Sequence, residues 1–115
     1  AAHASLHHWG IVGTSKNHAR GEWQIARVYA VLKRDVSALH YARLYMDACV
    51  KEDFGPFDLA FAHEGLARAI ATAESKQAMK HIEEARRIGK GIGESEDQTW
   101  LHTNLDEIAA MIDAH

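Results

Sequence analysis

The chain is predicted to be all-α, about six antiparallel helices stacked as three helical hairpins within a single domain over residues 1–115. Three observations carry this prediction. Pro56 is the only proline, and alanine, leucine, glutamate, arginine and lysine fill the long segments, which favours helix over strand. Apolar residues recur at a spacing of three and four, and no segment alternates apolar and polar residues as a half-buried strand would. Short polar clusters separate the periodic segments, so successive helices are antiparallel neighbours, paired approximately as 1–32, 36–73 and 75–114.

The first segment, roughly Ala2 to Val12, places Leu6, Trp9 and Val12 on one helical face and is weakened by Gly10 and Gly13. A second helix is expected from about His18 to Leu32, with Ile25, Val28, Tyr29 and Leu32 as its buried stripe. Lys33-Arg34-Asp35 is a polar turn in which Asp35 can cap a third helix to about Lys51, striped by Ala38, Ala42, Tyr45 and Cys49. The break at Asp53-Phe54-Gly55-Pro56 precedes a fourth helix, about Phe57 to Ala73, with Leu59, Ala62, Leu66, Ala69 and Ala73 along one side. Ser75 can cap a fifth, about Lys76 to Lys90, striped by Ala78, Ile82, Ala85 and Gly89, with Gly89, Gly91 and Gly93 softening its end. Ser95 with Gln98 forms a capping-box pattern that opens a sixth helix to about Ala114. Leu101, Leu105, Ile108 and Ile112 give this last helix an apolar side, which either closes the array or docks on a second copy as a homodimer.

Composition narrows the functional classes. With 47% apolar and 25% charged residues the chain has the mix of a soluble globular protein. Thirteen basic residues against sixteen acids give a net charge of -3, so no basic field draws the chain to nucleic acid or an anionic membrane. Nine histidines would carry that charge through zero on mild acidification if they titrated normally. Cys49 is the only cysteine, which excludes an internal disulfide and fits a reducing compartment, so a cytoplasmic location is expected. No apolar run approaches the ~18 residues of a membrane span, and the first residues lack the pattern of a signal peptide.

An internal repeat is the most informative feature. Aligning Ala38 with Ala78 pairs Val28–Tyr45 with Arg68–Ala85 at a period of about 40 residues, giving units of approximately 18–51 and 57–90. Each unit is a helix, a short polar turn and a second helix with alanine just inside it, where two helices cross closely. Tyr29, the turn, Ala38, Ala42 and Tyr45, and in the second copy Ala69, Ala78, Ile82 and Ala85, resemble the tetratricopeptide-repeat family. The second copy lacks the aromatic that Tyr29 supplies, and the period exceeds that family's usual ~34 residues.

The resemblance implies a right-handed array and a non-catalytic scaffold that binds a protein or peptide on a concave surface lined by the first helix of each hairpin. Carried to this chain, the lining is Arg20, Trp23, Gln24 and Arg27 in the first copy and His63, Glu64, Ala67 and Ile70 in the second. Tryptophan and arginine suit binding hot spots. A metal- or small-ligand-binding alternative rests on His3 and His7, spaced i, i+4, with His8 beside them. An enzyme is not expected: Cys49 sits on an apolar stripe, the spacing of Glu22, His63 and Glu64 specifies no reaction, and no phosphate loop, nucleophile elbow or dinucleotide fingerprint is present. No cofactor is implied.

Overall fold

The structure, a computed structural model, describes residues 15–114. Five helices occupy them: α1 (Ser15–Val31), α2 (Asp35–Glu52), α3 (Pro56–Ile70), α4 (Ser75–Gly89) and α5 (Ser95–Ala114), with no strand among the described residues. The all-α prediction holds. Five helices are seen rather than six, because the expected segment at Ala2 to Val12 lies outside the described residues.

The helices form two layers. α3 packs against all four others, with α1 and α5 flanking it in one layer. In the other layer, α2 lies against α1 and α3, and α4 against α3 and α5, while α2 and α4 stand apart. Between α2 and α4 lies an open hollow of about 390 Å³ floored by Leu39, Met46, Leu66 and Ile70.

The expected stripe of α2 is the one buried: Ala38, Ala42, Tyr45 and Cys49. That of α4 is buried too, at Ala78, Ile82, Ala85 and Gly89. Ala38 and Ala78, the aligned alanines of the repeat, are both fully buried. α5 buries Leu101, Leu105 and Ile108 within the chain, leaving none of the three for a second copy.

Two helices depart from expectation. In α1, Ile25 is buried, but Val28, and Leu32 just beyond the helix end, are more than half exposed. The inward face is instead lined by small residues, Ala19 and Ala26, with Trp23 and Ala30 packed beside them. Alanine carries little weight in an apolar pattern yet permits close helix approach. α3 is buried on almost every side, including Asp58, Phe61 and Glu64 opposite the expected Ala62, Leu66 and Ala69. Ala73 lies beyond its end and is exposed.

The helix ends also differ in detail. Neither Arg34 before α2 nor Glu74 before α4 makes a side-chain cap, and Asp35 and Ser75 are the first helical residues. The Gln98 amide donates to the Ile92 carbonyl rather than completing a capping box. Asp53, not glycine, takes the left-handed position after α2, and Gly55 with φ 97° sets the entry to Pro56. Gly89 is a packing position rather than a soft end: a β-carbon there would lie 2.5 Å from Leu101 Cδ2.

The two repeat alanines yield the first prediction. Ala38→Leu and Ala78→Leu each destabilise the fold by about 1–3 kcal/mol through overpacking, read as a lower denaturation midpoint. Val36→Leu, at a position 86% exposed, leaves the midpoint unchanged.

Candidate functional site

Helical spacing assembles the site. Arg20, Trp23, Gln24 and Arg27 follow one another at i, i+3, i+4 and i+7 and share a face of α1. α3 brings Phe57, Asp58, Phe61, Glu64 and Arg68 to its side nearest α1 and α5, and α5 contributes Trp100, Asn104 and Glu107.

Two buried carboxylates anchor the arrangement. Asp58 is gripped by the Arg20 fork, Nε to Oδ1 at 2.8 Å and Nη2 to Oδ2 at 2.9 Å. The Tyr45 hydroxyl donates to Asp58 Oδ1 at 2.7 Å. The Asp58 bond holds the Arg20 guanidinium above its ordinary value, and burial, reinforced by the Asp58 charge, pushes the Tyr45 phenol well up. Glu64 accepts from the Trp23 indole at 2.9 Å and from Arg68 Nε at 3.0 Å. Asn104 Oδ1 accepts from Arg27 Nη1 at 2.7 Å and Arg68 Nη2 at 3.3 Å, and its amide donates to the Trp100 carbonyl. Arg68 also reaches Glu107 at 3.5 Å. Among the described residues no buried side-chain nitrogen or oxygen lacks a partner, the condition under which buried charge is tolerated.

Aromatic rings surround this polar frame. Trp23 meets Phe61 and Trp100 edge-on, each at 5.9 Å between centroids, and Phe61 lies 4.8 Å from Phe57 and 4.7 Å from Trp100. Together with Arg20, Gln24 and Tyr45 these four rings line a cavity of about 200 Å³ that opens to solvent. Arg20 stands 4.9 Å over the Phe57 ring and Arg27 5.7 Å over that of Trp23.

Of the residues singled out in the sequence, Arg20, Trp23, Gln24, Arg27 and Glu64 come together. His63 does not join them. Consecutive helical residues differ by about 100°, so His63 points away from Glu64 toward α4, where its Nδ1 lies 2.9 Å from His81 Nδ1. Ala67 is buried, and Ile70, also buried, faces the separate hollow between α2 and α4. The indole N–H of Trp23 is already committed to Glu64, and Gln24 is exposed at the cavity's rim.

Sequence reasoning missed Phe57, Asp58, Phe61, Arg68, Trp100 and Asn104. For those on α3 a signal existed: Asp58, Phe61, Glu64 and Arg68 follow one another at spacings of three and four within an otherwise alanine-rich helix. Trp100 and Asn104 had none, because their partners lie far away in sequence.

The other candidates do not converge on a reaction. Glu22 interacts with His18 and His40, not with His63 or Glu64, and burial raises its carboxyl. The Cys49 thiol is pushed up to about 12, first by burial and then by the Asp58 charge, which leaves it unreactive near neutrality. Among the described residues no group of three or more histidine, cysteine or acidic side chains is placed to hold a metal. His3, His7 and His8 lie outside the described residues. Comparison with protein-family models, curated proteins and solved structures finds no match for this chain.

Two predictions follow from these contacts. Glu64→Ala leaves Arg68, only 10% exposed, without its main partner, and destabilises the fold by about 3–5 kcal/mol in denaturant titration. The histidine pair makes stability pH-dependent. Burial, and for His63 the neighbouring His81, lowers both imidazoles from 6.5, against the opposing pull of Glu84. At these two sites the folded chain therefore binds fewer protons than the unfolded one. The pair's contribution is complete above pH 6.5 and is lost as pH falls toward the lower folded values. His81→Gln removes part of the acid sensitivity, read as a smaller fall in denaturation midpoint between neutral and mildly acidic buffer.

Proposed function

We propose that this chain is a non-catalytic interaction module that holds a protein or peptide segment on the face shared by α1, α3 and α5. The observation that carries this reading is the solvent-open aromatic cavity beside Trp23, with Trp100 45% exposed at its edge. A half-exposed tryptophan over an apolar hollow is the usual composition of a binding hot spot. The frame beneath it is fully hydrogen-bonded, so its rings are held in place before a partner arrives, which lowers the entropic cost of binding.

The layering supports the tetratricopeptide-like reading. α1, α3 and α5 share one layer, as the first helices of successive hairpins do, and α2 and α4 lie on the other side, each packed against the helix preceding it. A small-molecule site is the weaker alternative, because pockets for such ligands are typically ~300–1,000 Å³ and this cavity, at about 200 Å³, matches a single large side chain. The acids argue against catalysis: both Asp58 oxygens and both Glu64 oxygens already accept hydrogen bonds from the chain's own groups.

The test is titration of the ¹⁵N-labelled chain with N-acetyl-phenylalanine amide and N-acetyl-leucine amide, followed by NMR. The expected perturbations cluster at the Trp100 indole and at Gln24, Phe57 and Phe61, and disappear in Trp100→Ala. Perturbations confined to the hollow between α2 and α4, or none at all, would contradict the assignment.

A further inference from the structure

The aromatic cavity does not end at Trp23. Trp23 and Gln24 also border a second, shallower hollow of about 340 Å³, completed by Arg27, Val28, Val31 and Leu32. Val28, Val31 and Leu32 follow at i, i+3 and i+4 and form a ridge at the end of α1 and the first residue of the turn after it, 53%, 72% and 59% exposed. Three large aliphatic side chains open to water beside a tryptophan make a contiguous apolar surface of the kind that marks an interaction site.

Charge selects among occupants. Among the described residues, the charged side chains lining the two hollows are Arg20 in one and Arg27 in the other, with no acid in either lining. Asp58 is buried beneath Arg20 and neutralises it. Arg27 is different: its close partner is the neutral Asn104 oxygen, its nearest carboxylate, Glu64 at 3.9 Å, is buried behind it and also held by Arg68, and Glu107 pairs with Arg68, so the one-third-exposed Arg27 guanidinium is the charged group left at the rim. The face therefore presents cationic charge at the edge of an apolar surface.

We propose that the partner is an acidic amphipathic segment of another protein. It would place one aromatic or leucine side chain in the cavity and a second aliphatic side chain on the Val28–Val31–Leu32 ridge, with a carboxylate beside Arg27. The proposal rests on the interaction reading above and adds the partner's chemistry. A second copy of this chain fits less well. In a two-fold contact the same patch meets itself, and this patch would bring arginines together with no acid between them. The hollow between α2 and α4 carries no such preference, since Arg43, Asp47, Glu74 and His81 line it with both signs.

The experiment is selection of a random phage-displayed peptide library on the whole chain, followed by fluorescence anisotropy of an enriched synthetic peptide. Enriched peptides are expected to carry two bulky apolar positions and an excess of aspartate and glutamate. Val31→Asp should weaken binding roughly tenfold or more, and Arg27→Gln roughly two- to fivefold with a reduced salt dependence. Val31→Asp should melt close to the parent, whereas Arg27→Gln loses the bond to Asn104 and melts lower, so its binding is read well below its own melting midpoint. Neutral or basic enriched peptides whose binding is lost in Trp100→Ala would overturn the acidic partner and leave the groove standing. Acidic peptides indifferent to Val31→Asp would overturn the second anchor point. A selection that enriches nothing would overturn both this inference and the interaction reading. A concentration-dependent dimer that Val31→Asp dissolves would overturn the proposal in favour of a second copy on the ridge.

Discussion

Two carboxylates inside the central helix constrain the arrangement of the whole chain. α3 has almost no side free of neighbours, yet it carries Asp58 and Glu64, each about 1% exposed. An unpaired buried charge is far too costly for a domain of ordinary stability to retain. The fold can form only if α1 delivers Arg20 and Trp23 to those oxygens, α2 delivers Tyr45, and Arg68 folds back along α3 itself. The packing of apolar side chains fixes which helices touch. The carboxylates add a requirement of register, since a shift of one residue along α1 would carry both Arg20 and Trp23 away from their acceptors.

That requirement connects the core to the open face. The side chains that satisfy Asp58 and Glu64 also wall the aromatic cavity: Arg20 lies over Phe57, and Trp23 stands edge-on to Phe61 and Trp100. Asn104 extends the frame to α5, accepting from Arg27 and Arg68 and donating to the backbone beneath Trp100. A face built this way has few rotamers left to lose when something settles on it. Preorganisation of this kind is one route by which a small surface binds specifically.

The sequence disclosed much of the fold and part of the site, and the reasons are physical. The stripes of α2 and α4 were legible because each packs one face and leaves the other in water, so period and burial coincide. α3 was misread as one-sided because its second buried face is made of Asp58, Phe61 and Glu64, two of which a hydropathy pattern counts as solvent-facing. α1 was misread for the opposite reason: its inward face is largely alanine, while the more apolar Val28 and Leu32 stay outside. Arg20, Trp23, Gln24 and Arg27 were legible as a set because one helix fixes their spacing. Their partners on α3 and α5 depend on tertiary packing, and so does the separation of His63 from Glu64, neighbours in sequence that face different helices.

The claim that Trp23 and Glu64 lock α1 onto the central helix is tested most directly by a double-mutant cycle of Trp23→Phe and Glu64→Met in equilibrium unfolding. Phenylalanine keeps a ring but removes the indole N–H, and methionine keeps the length of the side chain but removes both acceptor oxygens. The two changes are expected to be non-additive by roughly 1 kcal/mol or more, as for a hydrogen bond to a buried charged group. Additivity within about 0.5 kcal/mol would mean that the two side chains do not depend on one another, and would contradict the claim.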